Sequence, residues 1–229
     1  MALTLSDPTR DLEPLLSAAL SALGLTAESR MRECVLAYVT LLQRWTGVHN
    51  LTSARDRTEL LQRHVVDCLA IVGPLRRHAS GRSLTILDAG TGAGLPAVVI
   101  AVMQPKWDVT AVDAVGKKIA FLRQVAGELG LANLHPRQGR LESLTPTEGR
   151  FDIVTSRAFS SLRQLVETTR HVIEPTGVWL AMKGKPPEAE ARDLPTDCQL
   201  FHVEPVTVPG LDADRCLVWM KPTHGPRSA

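Results

Sequence analysis

A glycine-rich segment near the middle of the chain, residues 88–96 (D-A-G-T-G-A-G-L-P), constrains the fold more than any other feature of the sequence. It follows a strand-like apolar run at residues 84–87 and precedes an apolar, helix-compatible stretch at residues 95–103. Glycine has no Cβ, so the backbone of such a turn can approach a ligand closely. The segment therefore predicts a strand–turn–helix unit of an α/β protein that binds a nucleotide-like cofactor. The alternative is an ordinary tight connection between a strand and a helix.

The spacing of the glycines distinguishes between cofactors. Gly90, Gly92 and Gly94 do not match the G-x-G-x-x-G of dinucleotide-binding folds, because Leu95 occupies the place of the third glycine. A phosphate-binding loop of the type G-x-x-x-x-G-K-[ST] is also absent, since no Lys-Ser or Lys-Thr follows. Counted from Asp88, the pattern D-x-G-x-G-x-G resembles the first motif of class I methyltransferases, which bind S-adenosylmethionine. We therefore predict that Asp88, the three glycines and Leu95 contribute to a site for that cofactor.

A second acidic residue strengthens this interpretation. Residues 107–113 form a strand-like run that ends in Asp113, 19 residues after Gly94. An acid at the tip of the second strand can accept hydrogen bonds from both hydroxyls of a ribose. Asp113 is therefore predicted to bind the ribose of the cofactor. The alternative is a solvated acid at a strand end.

The first 82 residues show helical periodicity. Asp7-Pro8 has the form of an N-cap followed by a first-turn proline, and Gly73-Pro74 is expected to end the last helix. We expect a helical cap over these 82 residues and a methyltransferase domain over residues 83–229. The helices are predicted over residues 7–23, 27–45 and 57–72.

From residue 84 onward, strand and helix patterns alternate, which is typical of a parallel sheet with helices on both faces. The last two strands are separated by Pro209-Gly210 and predict an antiparallel hairpin. The predicted fold is thus α/β and Rossmann-like, of the class I methyltransferase type, with a mostly parallel seven-stranded sheet, an antiparallel C-terminal hairpin and an N-terminal helical cap. The strands are predicted near residues 84–88, 108–113, 133–138, 151–156, 177–182, 199–207 and 215–221.

Ligands of such a sheet bind beyond the carboxyl ends of its strands, so the residues that follow each strand are candidates for the site. Leu141 and Glu142 follow the third strand, where an adenine ring would meet an apolar wall and a hydrogen-bond acceptor. Arg157 follows the fourth strand, and its planar fork suits the methionine carboxylate of the cofactor or a substrate phosphate. Each residue also has a simpler interpretation: Leu141 in the core, Glu142 as an acid in the first turn of a helix, and Arg157 in a surface ion pair.

The formal net charge is only +2, so contact with a nucleic acid requires a local basic face. Residues 117–140 contain Lys117, Lys118, Arg123, Arg137 and Arg140, against Glu128 as the only acid. The chain has one Tyr, four Phe and four Trp and no stacking platform for single strands, so phosphate contacts to a folded RNA are expected. The predicted RNA-binding residues are Lys117, Lys118, Arg123 and Arg140, together with Lys183 after the fifth strand.

The four cysteines are dispersed and form no C-x-x-C pair, which argues against a metal site or a disulfide framework and favours a reducing compartment. The N-terminal residues carry charges where a signal peptide needs an apolar core, and the longest uncharged apolar run is too short to cross a bilayer. We therefore expect a cytoplasmic protein without membrane contact, and nothing in the sequence requires more than a monomer.

Six motifs follow one another along the chain: N-L-T-S-A-R-D at residues 50–56, R-H-x-x-D at 63–67, D-A-G-T-G-A-G-L-P at 88–96, G-K-K-x-x-F-L-R-Q-V at 116–125, F-D at 151–152 and S-R-A-F at 156–159. In order and spacing they resemble the GidB family of bacterial small-subunit ribosomal RNA methyltransferases, and the similarity runs from about Tyr38 to Lys221. Ala97 departs from the family, which often has glycine at this position.

The resemblance implies transfer of methyl from S-adenosylmethionine to N7 of a guanine in the 530 loop of 16S rRNA. The substrate would be the free RNA or an assembling small ribosomal subunit. The resemblance also implies cofactor-binding roles for Gly90, Leu95, Leu141 with Glu142, and Arg157. The alternatives are a methyltransferase for another RNA site or for a small molecule, and an RNA-binding module without activity.

Guanine N7 has a lone pair and no hydrogen, so its attack on a methyl group needs no prior deprotonation, and alignment becomes the main task of the enzyme. No dedicated general base is therefore predicted. His64 and Asp67 lie three residues apart on one helix face and are candidates for a role in the site, as is Asn50. The alternatives are a core histidine with satisfied hydrogen bonds and an asparagine that caps a turn.

Overall fold

Seven strands form one sheet in the computed structural model, which describes residues 11–49, 51, 52, 54, 56–146 and 149–223. The strands are β1 (Thr85–Ala89), β2 (Asp108–Asp113), β3 (Leu134–Gln138), β4 (Phe151–Arg157), β5 (Ile173–Lys183), β6 (Cys198–Pro205) and β7 (Cys216–Pro222). Their order across the sheet is β3-β2-β1-β4-β5-β7-β6. The first five strands are parallel to their neighbours, and β7 pairs antiparallel with both β5 and β6. The predicted sheet and its closing hairpin are therefore confirmed.

The central strands owe their position to their apolar sequences. Ile86 and Leu87 on β1, like Ile153 and Val154 on β4, are fully buried although successive residues of a strand point to opposite faces. Such strands need cover on both faces of the sheet, which is what parallel connections through helices provide. The largest difference from a predicted strand start is in β5, which begins at Ile173, four residues before the expected residue 177.

Helices cover both faces of this sheet, and among the described residues no helix is both long and apolar enough to span a bilayer. A π-helical turn (Leu61–Val65) joins α3 and α4 into one continuous helix. The α-helices are α1 (Glu13–Ala22), α2 (Ser29–His49), α3 (Arg57–Leu60), α4 (Val66–Leu69), α5 (Val72–Ala79), α6 (Ala97–Met103), α7 (Gly116–Leu129), α8 (Leu162–Thr169) and α9 (Glu188–Arg192).

One helix boundary in the cap was predicted wrongly. The predicted N-cap at Asp7-Pro8 lies outside the described residues, within which α1 spans Glu13–Ala22. Gly73-Pro74 does not end the helical region, because both residues lie in the first turn of α5. Proline is tolerated there, since the first N–H groups of a helix have no partner within the helix. Helix α5 ends later, at Ala79, and its C-cap residue Ser80 has a left-handed φ of +48°.

The core has two parts, one on each face of the sheet. The cap helices share a single apolar cluster with α6, α7 and one face of the sheet, and it includes the fully buried Leu42 and Phe121. Helix α8 covers the opposite face around Trp179, where it belongs to one apolar cluster with sheet residues that include Val218 and Met220 of β7. The first cluster crosses the boundary between residues 82 and 83, and the division into two domains at this boundary stays a prediction.

Candidate functional site

The glycine-rich turn joins β1 to α6, and its glycines serve different purposes. Gly90, Gly92 and Gly94 all have positive φ angles, of +68°, +60° and +91°. A Cβ on Gly94 would lie 2.4 Å from Leu122 Cδ2 and 2.6 Å from Val98 Cγ2, so this glycine permits α6 and α7 to pack together. A Cβ on Gly92 would be 3.9 Å from its nearest neighbour, the Gly90 carbonyl oxygen. Packing requires Gly94, whereas the space beside Gly92 is open to a ligand.

Asp88 is fully buried at the end of β1 and ties the turn to the following helix. Its Oδ2 accepts hydrogen bonds from Thr91 Oγ1 at 2.6 Å and from the Ala97 amide at 3.1 Å. Its Oδ1 has no hydrogen-bond partner among the described residues. Burial raises the pKa of this carboxyl from 3.8 to about 6. Because Ala97 contributes only its backbone N–H, the departure from the family's glycine leaves this contact intact.

Asp113 lies at the tip of β2, against the glycine turn. Its Oδ2 accepts hydrogen bonds from the Gly92 amide at 3.0 Å and from Lys118 Nζ at 3.1 Å, and its Oδ1 accepts one from the Val115 amide at 2.9 Å. The predicted ribose-binding acid is thus next to the open space beside Gly92. Three contacts hold the carboxylate in this position.

The segment after β3 lies beside the same strand tip, because the Gly139 amide donates to the Asp113 carbonyl oxygen at 3.2 Å. Leu141 and Glu142 form a short 3₁₀ turn immediately afterwards. Leu141 is half-buried and packs against the apolar cluster under α8, whereas Glu142 is exposed. Both residues therefore follow the third strand at the edge where the adenine was predicted.

Arg157, the last residue of β4, contacts both candidate residues of the cap. Its Nη1 donates to His64 Nδ1 at 3.1 Å and lies 3.6 Å from Asp67 Oδ2. Asp67 is only 4% exposed, and its other oxygen, Oδ1, accepts a hydrogen bond from Arg215 Nε at 2.9 Å. The cap helix and two regions of the methyltransferase domain therefore meet at one buried carboxylate.

The chain after Arg157 turns back towards the glycine-rich turn. Ala158 has a φ of +59°, a left-handed conformation that is uncommon without glycine. The ring of Phe159 follows, 3.6 Å from the place where a Cβ on Gly90 would lie. The end of β4 and the end of β1 thus contribute to the same region at the carboxyl ends of the strands, which we call the rim.

His64 is half-buried and is a neutral acceptor in this arrangement. Burial and the neighbouring Arg157 guanidinium both lower the pKa of its imidazole. The expected alternative, a histidine satisfied within the cap core, does not describe its contact, because its partner is the arginine at the end of β4. Asn50, the third candidate of the cap, lies outside the described residues.

The basic residues predicted to contact RNA fall into two groups. Lys118 pairs with Asp113, and Lys183, only 16% exposed, pairs with both oxygens of Glu190 at 2.9 Å. The other three are exposed on the surface: Lys117, Arg123 and Arg140.

Two residues near the rim were not predicted. The buried Tyr38 of α2 donates its hydroxyl hydrogen bond to the Ala93 carbonyl oxygen at 2.7 Å, so the cap touches the backbone of the glycine turn. A tyrosine on the buried face of a cap helix was a weak signal for this contact. Arg215 gave no signal, because it is 148 residues from Asp67 and has no motif around it.

A cleft of about 960 Å³ lies at the opposite end of the sheet. Arg150 and Ile173, at the starts of β4 and β5, are among its lining residues. Arg170, which also lines it, pairs with Asp197 at 3.2 Å. The size of a cleft therefore does not locate the site in this molecule.

The rim at the carboxyl ends of the strands fits an adenosyl cofactor that carries a carboxylate. A side chain at Gly92 would fill the open space, Asp113 is next to that space, and Arg157 presents a partly exposed guanidinium further along the rim. A cofactor in this space would explain why residue 92 of the turn has no side chain.

A family model described as GidB, rRNA small subunit methyltransferase G, matches residues 31–218. The chain belongs to this family. A curated relative, ribosomal RNA small subunit methyltransferase G of Leptothrix cholodnii, is 48% identical over 215 residues, which cover 94% of this chain and 96% of the relative. The predicted family is confirmed, and with it a methyltransferase that uses S-adenosylmethionine.

Solved methyltransferase structures share the fold at low sequence identity. TrmN from Thermus thermophilus is 18% identical with a TM-score of 0.53, over 71% of this chain and 53% of that chain. A SAM dependent methyltransferase from Aquifex aeolicus is 18% identical with a TM-score of 0.52, over 71% of this chain and 92% of that chain. The predicted Rossmann-like methyltransferase fold is therefore confirmed.

Proposed function

We propose that this protein transfers a methyl group from S-adenosylmethionine to N7 of a guanine in the 530 loop of 16S rRNA, by direct in-line attack. The observation that carries the proposal is that Asp113, the glycine turn and Arg157 all lie at the carboxyl ends of neighbouring strands, in a chain of the GidB family. The name of the Leptothrix relative supports small-subunit ribosomal RNA as the substrate. A cytoplasmic location and a monomeric state stay predictions.

The residues of the rim have separate roles in this proposal. S-adenosylmethionine supplies an electrophilic methyl group on a positively charged sulfur. Asp113 accepts the ribose hydroxyls, and Leu141 and Glu142 flank the adenine. The guanidinium of Arg157 binds the methionine carboxylate, because its planar fork matches the two carboxylate oxygens. Asp88, Gly90, Gly94 and Leu95 keep the turn in the conformation that leaves Gly92 beside the cofactor.

The contacts of the cap residues support transfer without a general base. His64 uses Nδ1 to accept from Arg157, and Asp67 accepts from one arginine and lies beside another. Neither group is arranged to take a proton from an acceptor, and guanine N7 has no proton to lose. Orientation of the two substrates and tolerance of positive charge moving to the purine are then the tasks of the protein.

Contact with the RNA backbone is proposed for the exposed residues Lys117, Arg123 and Arg140. Lys118 and Lys183 stay predictions as RNA-binding residues, although in each case a carboxylate already neutralises the ammonium. Reversal of charge at Lys117 is therefore a cleaner test than reversal at both lysines, since Lys118→Glu would bring a second acid next to Asp113.

Methyl-labelled S-adenosylmethionine is incubated with three acceptors: unmethylated 16S rRNA, small subunits that lack this modification, and a metabolite extract. We expect label in the RNA or in the subunits, at a guanine of the 530 loop, mapped by chain cleavage at N7-methylguanine. Label confined to the metabolites, or to another RNA position, contradicts the proposal.

A matched pair of lysine variants tests the proposed RNA face in the same assay. Lys117→Glu should lower RNA affinity roughly fivefold at physiological salt and leave cofactor affinity unchanged, because it reverses one phosphate-contacting charge. Lys106→Glu is the control. Lys106 is also exposed, but it precedes β2 and lies at the amino ends of the strands, away from the rim. Equal RNA affinity of the two variants would remove Lys117 from the RNA face.

A further inference from the structure

The buried carboxylate of Asp67 has two arginine neighbours from distant parts of the chain. Arg157 comes from the end of β4, and Arg215 comes from the loop that precedes β7. The two side chains are 23% and 27% exposed, so each guanidinium is partly open to solvent while one edge faces the acid. One carboxylate cannot neutralise two guanidinium groups. These three side chains therefore carry one positive charge in excess. A cofactor carboxylate at Arg157 would neutralise that charge, so a phosphate would bind through the N–H donors that remain on Arg215.

The neighbouring ion pair on this side of the rim is balanced by contrast. Lys183 Nζ lies 2.9 Å from both oxygens of Glu190, and Glu190 Oε2 also accepts a hydrogen bond from the Leu162 amide at the start of α8. This lysine has a full counter-charge and little exposure. On this side of the rim Arg157 and Arg215 are partly exposed, Lys185 is exposed, and the exposed acids Asp212 and Asp214 flank Arg215 in the chain.

Arg215 has hydrogen-bond donors to spare. Its contacts with the described residues use Nε, which donates to Asp67, and Nη1, which donates to the Asp214 carbonyl oxygen at 2.8 Å. A guanidinium has five N–H donors, so the Nη2 amine and one hydrogen of Nη1 remain for a ligand. Such a fork matches the oxygens of a phosphate as well as those of a carboxylate.

The sheet register places Arg215 at the same edge as the cofactor-binding residues. Cys216, the first residue of β7, is opposite Lys183, the last residue of β5. We call the carboxyl ends of β1, β2 and β3 the cofactor half of the rim, because the glycine turn and Asp113 lie there. The carboxyl ends of β4 and β5, the start of β7 and Asp67 of the cap form the acceptor half. Arg157, at the end of β4 and next to β1, lies where the two halves meet.

We propose that Arg215 binds a backbone phosphate of the RNA substrate and that Asp67 is a positioning residue for it. By holding Arg215 and Arg157 at one carboxylate, Asp67 sets the distance between the RNA phosphate and the carboxylate end of the cofactor. This inference rests on the proposed function, because it assumes an RNA acceptor and a cofactor contact at Arg157.

The cap helix has a π-helical turn beside this contact. The turn, Leu61–Val65, contains His64 and ends two residues before Asp67, and both side chains reach Arg157. Single π-helical turns inside α-helices occur frequently at functional sites.

A purely structural role for Arg215 makes different predictions. The hairpin loop lies on the cap, since a Cβ on Gly210 would be 3.8 Å from Gln62 Nε2, and Arg215 could simply fasten this loop. A structural tie would affect thermal stability and would leave the salt dependence of RNA binding unchanged. A phosphate contact affects the salt dependence directly.

The test compares Arg215→Gln, Arg215→Lys and a matched control, Arg32→Gln. Glutamine can still donate to Asp67 but has no charge, and lysine restores the charge without the fork. Arg32 is 34% exposed, pairs with Glu13 at 2.9 Å and bonds the Ala27 carbonyl oxygen at 2.7 Å. It lies near the start of α2, where Arg30 contacts Leu129 at the end of α7 farthest from the rim.

Dissociation constants for S-adenosylmethionine and for 16S rRNA are measured over a range of salt concentrations. We expect Arg215→Gln to weaken RNA binding about tenfold and to reduce the slope of log K against log salt by about 1, as for one lost phosphate contact. Cofactor affinity should stay within about twofold, since the carboxylate contact of Arg157 remains. Arg215→Lys should recover the slope, and Arg32→Gln should behave as the unmodified protein.

The inference is overturned if Arg215→Gln changes RNA affinity no more than Arg32→Gln does, or if it weakens cofactor and RNA equally. Hydrogen exchange on the unmodified protein provides a measurement that is independent of variant folding. RNA should slow exchange over residues 211–217 and S-adenosylmethionine alone should not; an unchanged rate with RNA contradicts the contact. If the unmodified protein methylates no RNA at all, the proposed function itself fails, which the acceptor assay reports separately.

Discussion

The acids of the two halves of the rim, Asp113 and Asp67, have contacts of very different range. In the cofactor half, the Gly92 amide donates to Asp113, 21 residues further along the chain and on an adjacent strand. In the acceptor half, Arg215 reaches back 148 residues to Asp67. A site of short-range contacts leaves a motif in the sequence, because residue spacing sets its geometry. For a site of long-range contacts, motifs in the sequence do not show which residues meet, because the packing of separate elements sets the geometry.

The largest effect is expected within the cofactor half, at Gly94. A Cβ there overlaps Leu122 and the backbone is left-handed, so Gly94→Ala should lower the free energy of unfolding by about 4 kcal/mol. Gly127→Ala is the control, because Gly127 lies inside α7 with no atom within 4 Å of its Cβ position. That change should raise stability by about 0.5 to 1 kcal/mol. Similar urea-unfolding curves for the two variants would show that Gly94 is not required by packing.

The second effect concerns the buried carboxylate of Asp88 in the cofactor half. Within the described part of the chain, Asp88 accepts hydrogen bonds from a hydroxyl and an amide, and burial raises the pKa of its carboxyl to about 6. The protonated form is therefore the one that folding favours. Its contribution to stability is fully present below pH 3.8 and is lost as the pH rises through about 6.

This pH dependence is measured against Asp88→Asn, which cannot ionise. Between pH 4 and pH 8 the free energy of unfolding should fall by roughly 3 kcal/mol more for the unmodified protein than for the variant. A difference between the unmodified protein and Asp88→Asn that does not change with pH would contradict the raised pKa.

The smallest change in stability, with the most specific effect on binding, is expected at Gly92. The space beside it is open, so Gly92→Leu should cost about 1 to 2 kcal/mol of stability for its left-handed backbone. The added side chain takes the place of the cofactor, and we expect S-adenosylmethionine affinity to fall at least about 100-fold, which corresponds to roughly 2.7 kcal/mol. RNA affinity should remain within about twofold, because the acceptor half is unchanged. Calorimetric titration measures the first, and a parallel loss of RNA affinity would show that the halves are not separate.

Most of the cofactor half was predictable from the sequence. The strand before residue 88, the three glycines and the acid at 113 all follow from period-two apolar patterns and from the conformations that glycine alone adopts easily. The strand order was not predictable in detail, although alternation of strands and helices indicated a parallel sheet. The error in the cap came from a local rule. Gly73-Pro74 was predicted to end a helix, but a proline also fits the first turn of a helix, which is where it lies.

The acceptor half was predictable only in part. The position of Arg157 after a strand was correct, and so was the placement of His64 and Asp67 on one helix, but their joint contact was not foreseen. Lys183 was predicted as an RNA contact from its position alone, without its partner Glu190. Charge in a sequence does not reveal whether a counter-charge will fold against it.

The sequence by itself determined the fold class, the glycine turn and the family, because backbone conformation and apolar periodicity depend on residues close together in the chain. Only the tertiary structure decided which charges remain available at the rim. Burial of Asp67 between two arginines, and the full pairing of Lys183, arise when the cap, β4 and the hairpin pack together. Electrostatic balance depends on distances across the folded molecule, and no local pattern in the chain specifies those distances.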